Sequence, residues 1–164
     1  MHRRPAVAAI VLSLGALAGC ASTPDYGGPV TVPLFTPAAG AAEACPGLIA
    51  DLPATLGENT QRETTGSAYG AAWGNPAIVL RCGVPEPKDF DPYAACQTVN
   101  GVDWFVESNT DEAATRGSVK VTTVYRKPAV QITIPARYAQ GPAIVMSGLT
   151  TSVKAHSLAS QHCK

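Results

Sequence analysis

The sequence predicts an α+β domain: an antiparallel sheet of about four to five strands, with two helices packed on one face and disulfides stapling the layers. Three observations predict it. Apolar periodicity runs in the order helix, several strands, helix; short turns join the strands, so consecutive strands pair antiparallel; and four cysteines remain once Cys20, near the N-terminus, is set aside. A sheet with both helices on one face is the two-layer arrangement that buries both apolar stripes.

The first helix begins near Cys45, with Pro46 in the first turn, where a missing N–H costs nothing. Leu48, Ile49, Leu52 and Leu56 then share one buried face. Pro53 ends or kinks this helix, and Gly57 leads into a polar loop through Asn59, Gln61 and Arg62. A Gly-rich loop carrying Tyr69 and Trp73 follows, closed by a Gly74-Asn75-Pro76 turn.

The next segment is a strand. Ile78, Leu80, Cys82 and Val84 alternate with Val79, Arg81 and Gly83, so period two places Cys82 on the core face with Ile78 and Leu80. Pro85 and Pro87 end it, and a loop through Phe90 and Tyr93 leads to Cys96. Asn100-Gly101, between Val99 and Val102, marks a tight turn. After it Val102, Trp104 and Val106 share one strand face, and Asp103, Phe105 and Glu107 the other. A polar loop covers 108–117; Val119, Val121, Thr123 and Tyr125 then line a further strand, and Lys127-Pro128 leads into Val130, Ile132 and Ile134. The second helix runs from Pro142 to about Leu158, with Val145, Leu149 and Val153 on its buried face, although Gly148 is unfavourable in a helix.

The N-terminus carries an address. His2, Arg3 and Arg4 precede an apolar run from Pro5 to Ala16, and small residues lead to Cys20, the pattern of a secretory signal peptide. The run is about a dozen residues, against the roughly 20 that a membrane-spanning helix needs. Leu17-Ala18-Gly19-Cys20 resembles the bacterial lipobox, in which the cysteine sulfur receives a diacylglycerol and the chain is cut before it. The expected organisation is therefore 1–19 signal peptide, 20–42 lipidated Cys20 with a Pro/Gly/Ala-rich tether, and 43–164 one α+β domain. Within the tether, Val30, Val32 and Leu34 alternate in a way that suits an added edge strand. Fatty acyl chains such as palmitate on Cys20 would hold the domain on the outer face of the cytoplasmic membrane.

Twelve basic and twelve acidic residues, without basic clusters, argue against a nucleic-acid partner. In an oxidising compartment Cys45, Cys82, Cys96 and Cys163 read as two disulfides, since no C-x-x-C pair offers metal-ligand spacing. Of three pairings, Cys45–Cys82 with Cys96–Cys163 is preferred, because it joins the first helix to the strand beneath it and fixes the C-terminal helix. The chief rival links Cys82 to Cys96.

Ala71 to Pro76 followed by Ile78 to Pro85, with Ala44-Cys45, Leu52-Pro53, Asn100 to Trp104 and Val130 to Pro135 before Tyr138, resembles the actinobacterial domain-of-unknown-function family numbered thirty-five fifteen. That family consists of small exported proteins and lipoproteins. The resemblance covers Cys45 to the C-terminus. It implies an actinobacterial envelope location and supplies no activity and no catalytic residues.

The residues themselves offer little chemistry. No G-x-S-x-G elbow is present, and His156 and His162 read as solvent-facing residues near the end of a helix. With Cys163 they make an incomplete metal set, so neither metal nor cofactor is expected. Asp103, Glu107, Asp111 and Glu112 supply carboxylates for a glycosidase pair only if the fold brings two together. Arg81 either pairs with Asp103 across the sheet or faces a cleft and binds an anionic group; Trp104 reads as core. Tyr69, Trp73 and Arg81 are the candidate binding residues. The expected function is a lipid-anchored, non-enzymatic binding module for an envelope protein or precursor, the alternative being an envelope hydrolase or transferase.

Overall fold

Alternation at Ile78, Leu80 and Cys82 creates a strand whose inner side chains are all fully buried, and the sheet is built outward from it. The computed structural model describes residues 27–91, 93, 96–108, 117–138 and 141–163. Among them the element order is β1 Val30–Val32, α1 Ala41–Ala50, β2 Thr55–Leu56, β3 Asn59–Arg62, β4 Thr64–Gly66, β5 Gly70–Trp73 and β6 Ile78–Val84. Then come β7 Cys96–Val99, β8 Val102–Ser108, β9 Val119–Thr123, β10 Arg126–Lys127, β11 Ala129–Ile134, a 3₁₀ turn Ala136–Tyr138, α2 Pro142–His156 and β12 Leu158–Ala159.

The main sheet has eight strands in the order β2-β3-β5-β6-β11-β9-β8-β7, and every pairing in it is antiparallel. It is larger than the four to five strands expected. The extra strands come from segments without apolar alternation. β3 is the polar Asn59–Arg62 segment, legible only as a loop because it lies near the sheet edge with both faces partly in water. β5 replaces the expected Gly-rich loop and is buried at all four positions. Its small residues let other parts of the chain approach: the Val32 side chain of β1 occupies the space beside Gly70.

Both helices pack on one face. Ile132 of β11 stands between Leu80 of β6 and Val121 of β9, and all three point into a core closed by Cys45 and Leu48 of α1 and by Met146 and Leu149 of α2. Trp104 joins that core as expected. The Asn100-Gly101 turn closes the β7–β8 hairpin with both residues at positive φ, the geometry that two-residue hairpins favour.

Several boundaries differ from the sequence reading. α1 begins at Ala41, so Pro46 lies inside it, because the fully buried Ala41 seats the first turn on β6. Leu56 is in β2 rather than on that helix; its Cδ1 lies 2.7 Å from where a Cβ on Gly148 would sit, so the glycine that weakens α2 makes room for a core side chain. The strand expected to reach Tyr125 stops at Thr123, and Tyr125 turns the chain with a φ of 57°. α2 ends at His156, and Leu158 belongs to β12, which pairs with β10. Residues 30–42, expected in the tether, contribute β1, paired in parallel with β4, and the start of α1. No described helix is long and apolar enough to cross a membrane.

Candidate functional site

Two disulfides hold the layers, and they differ in setting. Cys45–Cys82 ties α1 to β6 inside the core, with both cysteines fully buried. Gly83 makes this docking possible. Its φ is 83°, and a Cβ there would overlap Ala41 Cβ and lie 3.3 Å from Cys45 Sγ. Cys96–Cys163 is half-buried and joins β7 to the chain end. Cys96 stands opposite Phe105, and Phe105 and Asp103 share the sheet face that the helices leave uncovered. The second bridge therefore fixes the tail beyond α2 rather than the helix itself.

That outer face carries a buried polar cluster. Asp103, 3% exposed, accepts hydrogen bonds from Thr98 Oγ1 at 2.5 Å, His162 Nδ1 at 2.9 Å and the Cys163 backbone N–H at 3.3 Å. Burial, the largest single influence, pushes its carboxyl pKa up. The hydrogen bonds from Thr98, His162 and Cys163, with the His162 charge, outweigh burial and leave the pKa below its usual value. A carboxylate oxygen of Asp103 and both sulfurs of Cys96 and Cys163 lie within 4.8 Å of one another, the one potential metal-ligating group among the described residues. With the sulfurs joined in a disulfide, the thiolates that a metal would need are absent.

Arg81 is part of a ladder across the same face. Its guanidinium donates to Gln131 Oε1 and lies 5.5 Å from the centroid of the Phe35 ring, while Gln131 Nε2 donates to Thr122 Oγ1 at 3.2 Å. β11 and β9 separate β6 from β8, and the Asp103 carboxylate is taken up by Thr98, His162 and Cys163.

Trp73 lies in β5 and not in the expected Gly-rich loop. It is fully buried, and its Nε1 donates to the Pro53 carbonyl at 2.9 Å, so it is a core residue and not a binding surface. Strand pairing explains this, because Trp73 stands opposite Ile78 on the core face of β5. Tyr69 is half-buried against the same core, and its carbonyl accepts the Cys82 N–H at 2.8 Å. The three candidate binding residues are thus not brought together at a cleft.

Of the two histidines expected to face solvent near a helix end, His162 is exposed but lies beyond α2, and His156, at the end of α2, is half-buried. His156 meets the Asp51 carboxylate across the α1–α2 interface at 2.5 Å, and His162 meets Asp103. Of the glycosidase candidates, Glu107 pairs with Lys120 at 3.6 Å and Asp103 is buried; Asp111 and Glu112 lie outside the described residues, as does Cys20.

The concavity that sequence reasoning missed is a groove of about 450 Å³ at the end of the sheet. Its walls come from Ala38 and Ala39 ahead of α1, Pro85 and Glu86 after β6, the Tyr125-Arg126-Lys127 corner, and Ser160 and Gln161 of the tail. Tyr125 is the distinctive element, since a left-handed tyrosine costs about 1–3 kcal/mol and persists only where its surroundings over-determine it. Here its carbonyl accepts the Ser160 N–H at 2.8 Å, and its ring packs edge-on against Phe90 at 5.4 Å. Arg126 is held on the far side, donating to the Ser157 carbonyl at 2.9 Å. No sequence signal marks this groove, because it is assembled from four distant segments.

An eight-stranded antiparallel sheet with two helices on one face and a tail bridged to the other defines a disulfide-stabilised α+β domain. The chain belongs to the family described as "Protein of unknown function (DUF3515)", whose model matches residues 5–161. No curated protein and no solved structure matches it.

Proposed function

We propose that this protein is an exported lipoprotein, anchored through Cys20 to the outer face of the cytoplasmic membrane, whose domain binds an envelope protein or precursor without turning it over. The observation that carries the binding role is the groove at Tyr125. A cleft with an apolar floor and a few convergent polar groups is the general form of a ligand site, and a non-glycine residue in left-handed geometry is a feature that clusters at such sites.

Further support comes from placement. Ala38 and Ala39 in the groove wall belong to the segment that leads back to Cys20, and nine residues lie between Cys20 and β1, ten steps along the chain that limit the link to about 36 Å. The domain would work close to the lipid surface. The two disulfides suit an oxidising compartment. No described pair of carboxylates favours the hydrolase alternative.

The test is photo-crosslinking in intact cells from a photoreactive residue at Lys127, with the exposed Glu58 as the control position. Adducts of defined mass from position 127, absent from position 58 and lost with Tyr125→Ala, are expected. Equal adducts at both positions, or none at 127, would overturn the binding role.

A further inference from the structure

The segment after α2 is anchored at both ends and weakly held between them. Ser157 is buried at the helix end, whereas Leu158, Ala159, Ser160, Gln161 and His162 are all exposed. Between those points the tail is held by the two-residue pairing of β12 with β10, by Ser160 on the Tyr125 carbonyl, and by Asp103 on His162 and the Cys163 N–H. Exposed backbone pairs that bury little apolar area belong to the least stable part of a fold. The bridge from Cys163 to Cys96 closes the strap covalently.

Accessibility separates the two disulfides. A thiolate must approach a sulfur to exchange with it, and exposed bridges are the labile ones. Cys45 and Cys82 are fully enclosed by the core, whereas Cys96 and Cys163 are half-exposed on the outer face.

We infer that Cys96–Cys163 is a thiol-exchange site for a dithiol reductant, and that its reduction releases residues 158–163 and removes the tail wall of the groove. The inference rests on the groove reading only for its consequence; the exchange chemistry stands by itself. One thiolate of the incoming dithiol attacks either sulfur, forming a mixed disulfide and expelling the other sulfur as a thiolate. The second thiolate of the reductant then breaks the mixed disulfide. Two electrons pass from the dithiol to the cystine, the reductant leaves as its own disulfide, and its two protons end on Cys96 and Cys163. Ser160 and Gln161 then leave the groove, and Tyr125 loses the donor on its carbonyl.

The experiment treats the folded, oxidised protein with dithiothreitol without denaturant, alkylates the free thiols and maps them by mass spectrometry, with hydrogen exchange measured on the same samples. Cys96 and Cys163 are expected to be alkylated at least roughly tenfold faster than Cys45 and Cys82. Exchange should rise in 158–163 while α1 and β6 stay protected. A Cys163→Ser variant should show the same exchange pattern without reductant. Labelling of all four cysteines at one rate, or a 158–163 segment still protected after reduction, would overturn the proposal. Neither readout requires a ligand, so failure here is distinguishable from failure of the crosslinking test.

Discussion

Asp103 on β8 accepts a hydrogen bond from Nδ1 of His162 at 2.9 Å, joining the middle of the chain to its end on the sheet face opposite the helices. Thr98 and the Cys163 N–H complete the shell around a carboxylate that is almost fully buried. The C-terminus is thereby part of the fold's polar bonding as well as of its covalent frame.

Acid sensitivity follows from this relationship. Unfolded, Asp103 titrates near 3.8; folded, it titrates lower, so the native state favours the carboxylate. That contribution is fully present above about pH 4 and is lost as pH falls through the folded value. Asp103→Asn removes the charge-assisted bonds and is expected to lower stability at neutral pH by about 1–3 kcal/mol. Urea midpoints at pH 7 and pH 3 check this: the gap between wild type and variant should narrow at the lower pH.

Gly83→Ala tests the docking of α1. The added Cβ meets Ala41 in a backbone conformation that L-residues rarely adopt, so strain and overlap act together. A loss of about 2–4 kcal/mol in unfolding free energy is expected. A variant as stable as wild type would mean that α1 does not sit against β6 at this point.

Trp73 tests core against surface. Trp73→Ala is expected to cost about 3–5 kcal/mol, and Trp73→Phe less, since a phenyl ring still fills part of the site while the pyrrole part of the indole and the bond to the Pro53 carbonyl are lost. Thermal unfolding of both variants distinguishes the readings, because a surface tryptophan would leave the transition nearly unchanged.

Elements with clear periodicity were legible from residues alone: β6, β8 and α2 lie where alternation or helical spacing put them, and the preferred cysteine pairing is the one found. What escaped was built from residues whose role depends on a distant partner. Asn59–Arg62 is a strand because β2 and β5 pair with it, and Gly70–Trp73 is buried because Val32 of β1 closes over Gly70 while Ala71 and Trp73 join the core. The groove was illegible for the same reason: Tyr125 takes its geometry with a tail serine that holds its carbonyl, and no local spacing encodes that. Arg81 looked exceptional as a charge within an apolar strand, until Gln131 and Phe35 from other segments stood beside it.

The proposed placement of the domain at the membrane depends on a lipid anchor at Cys20. Its most direct measurement is the intact mass and membrane partitioning of the mature protein from cells, for wild type beside Cys20→Ser. A wild-type chain that begins at Cys20, carries the added mass of diacylglycerol and acyl groups, and stays with the membrane is expected, while Cys20→Ser is released. An unmodified wild-type chain starting elsewhere, or a Cys20→Ser chain that remains membrane-bound after removal of its leader, would contradict it.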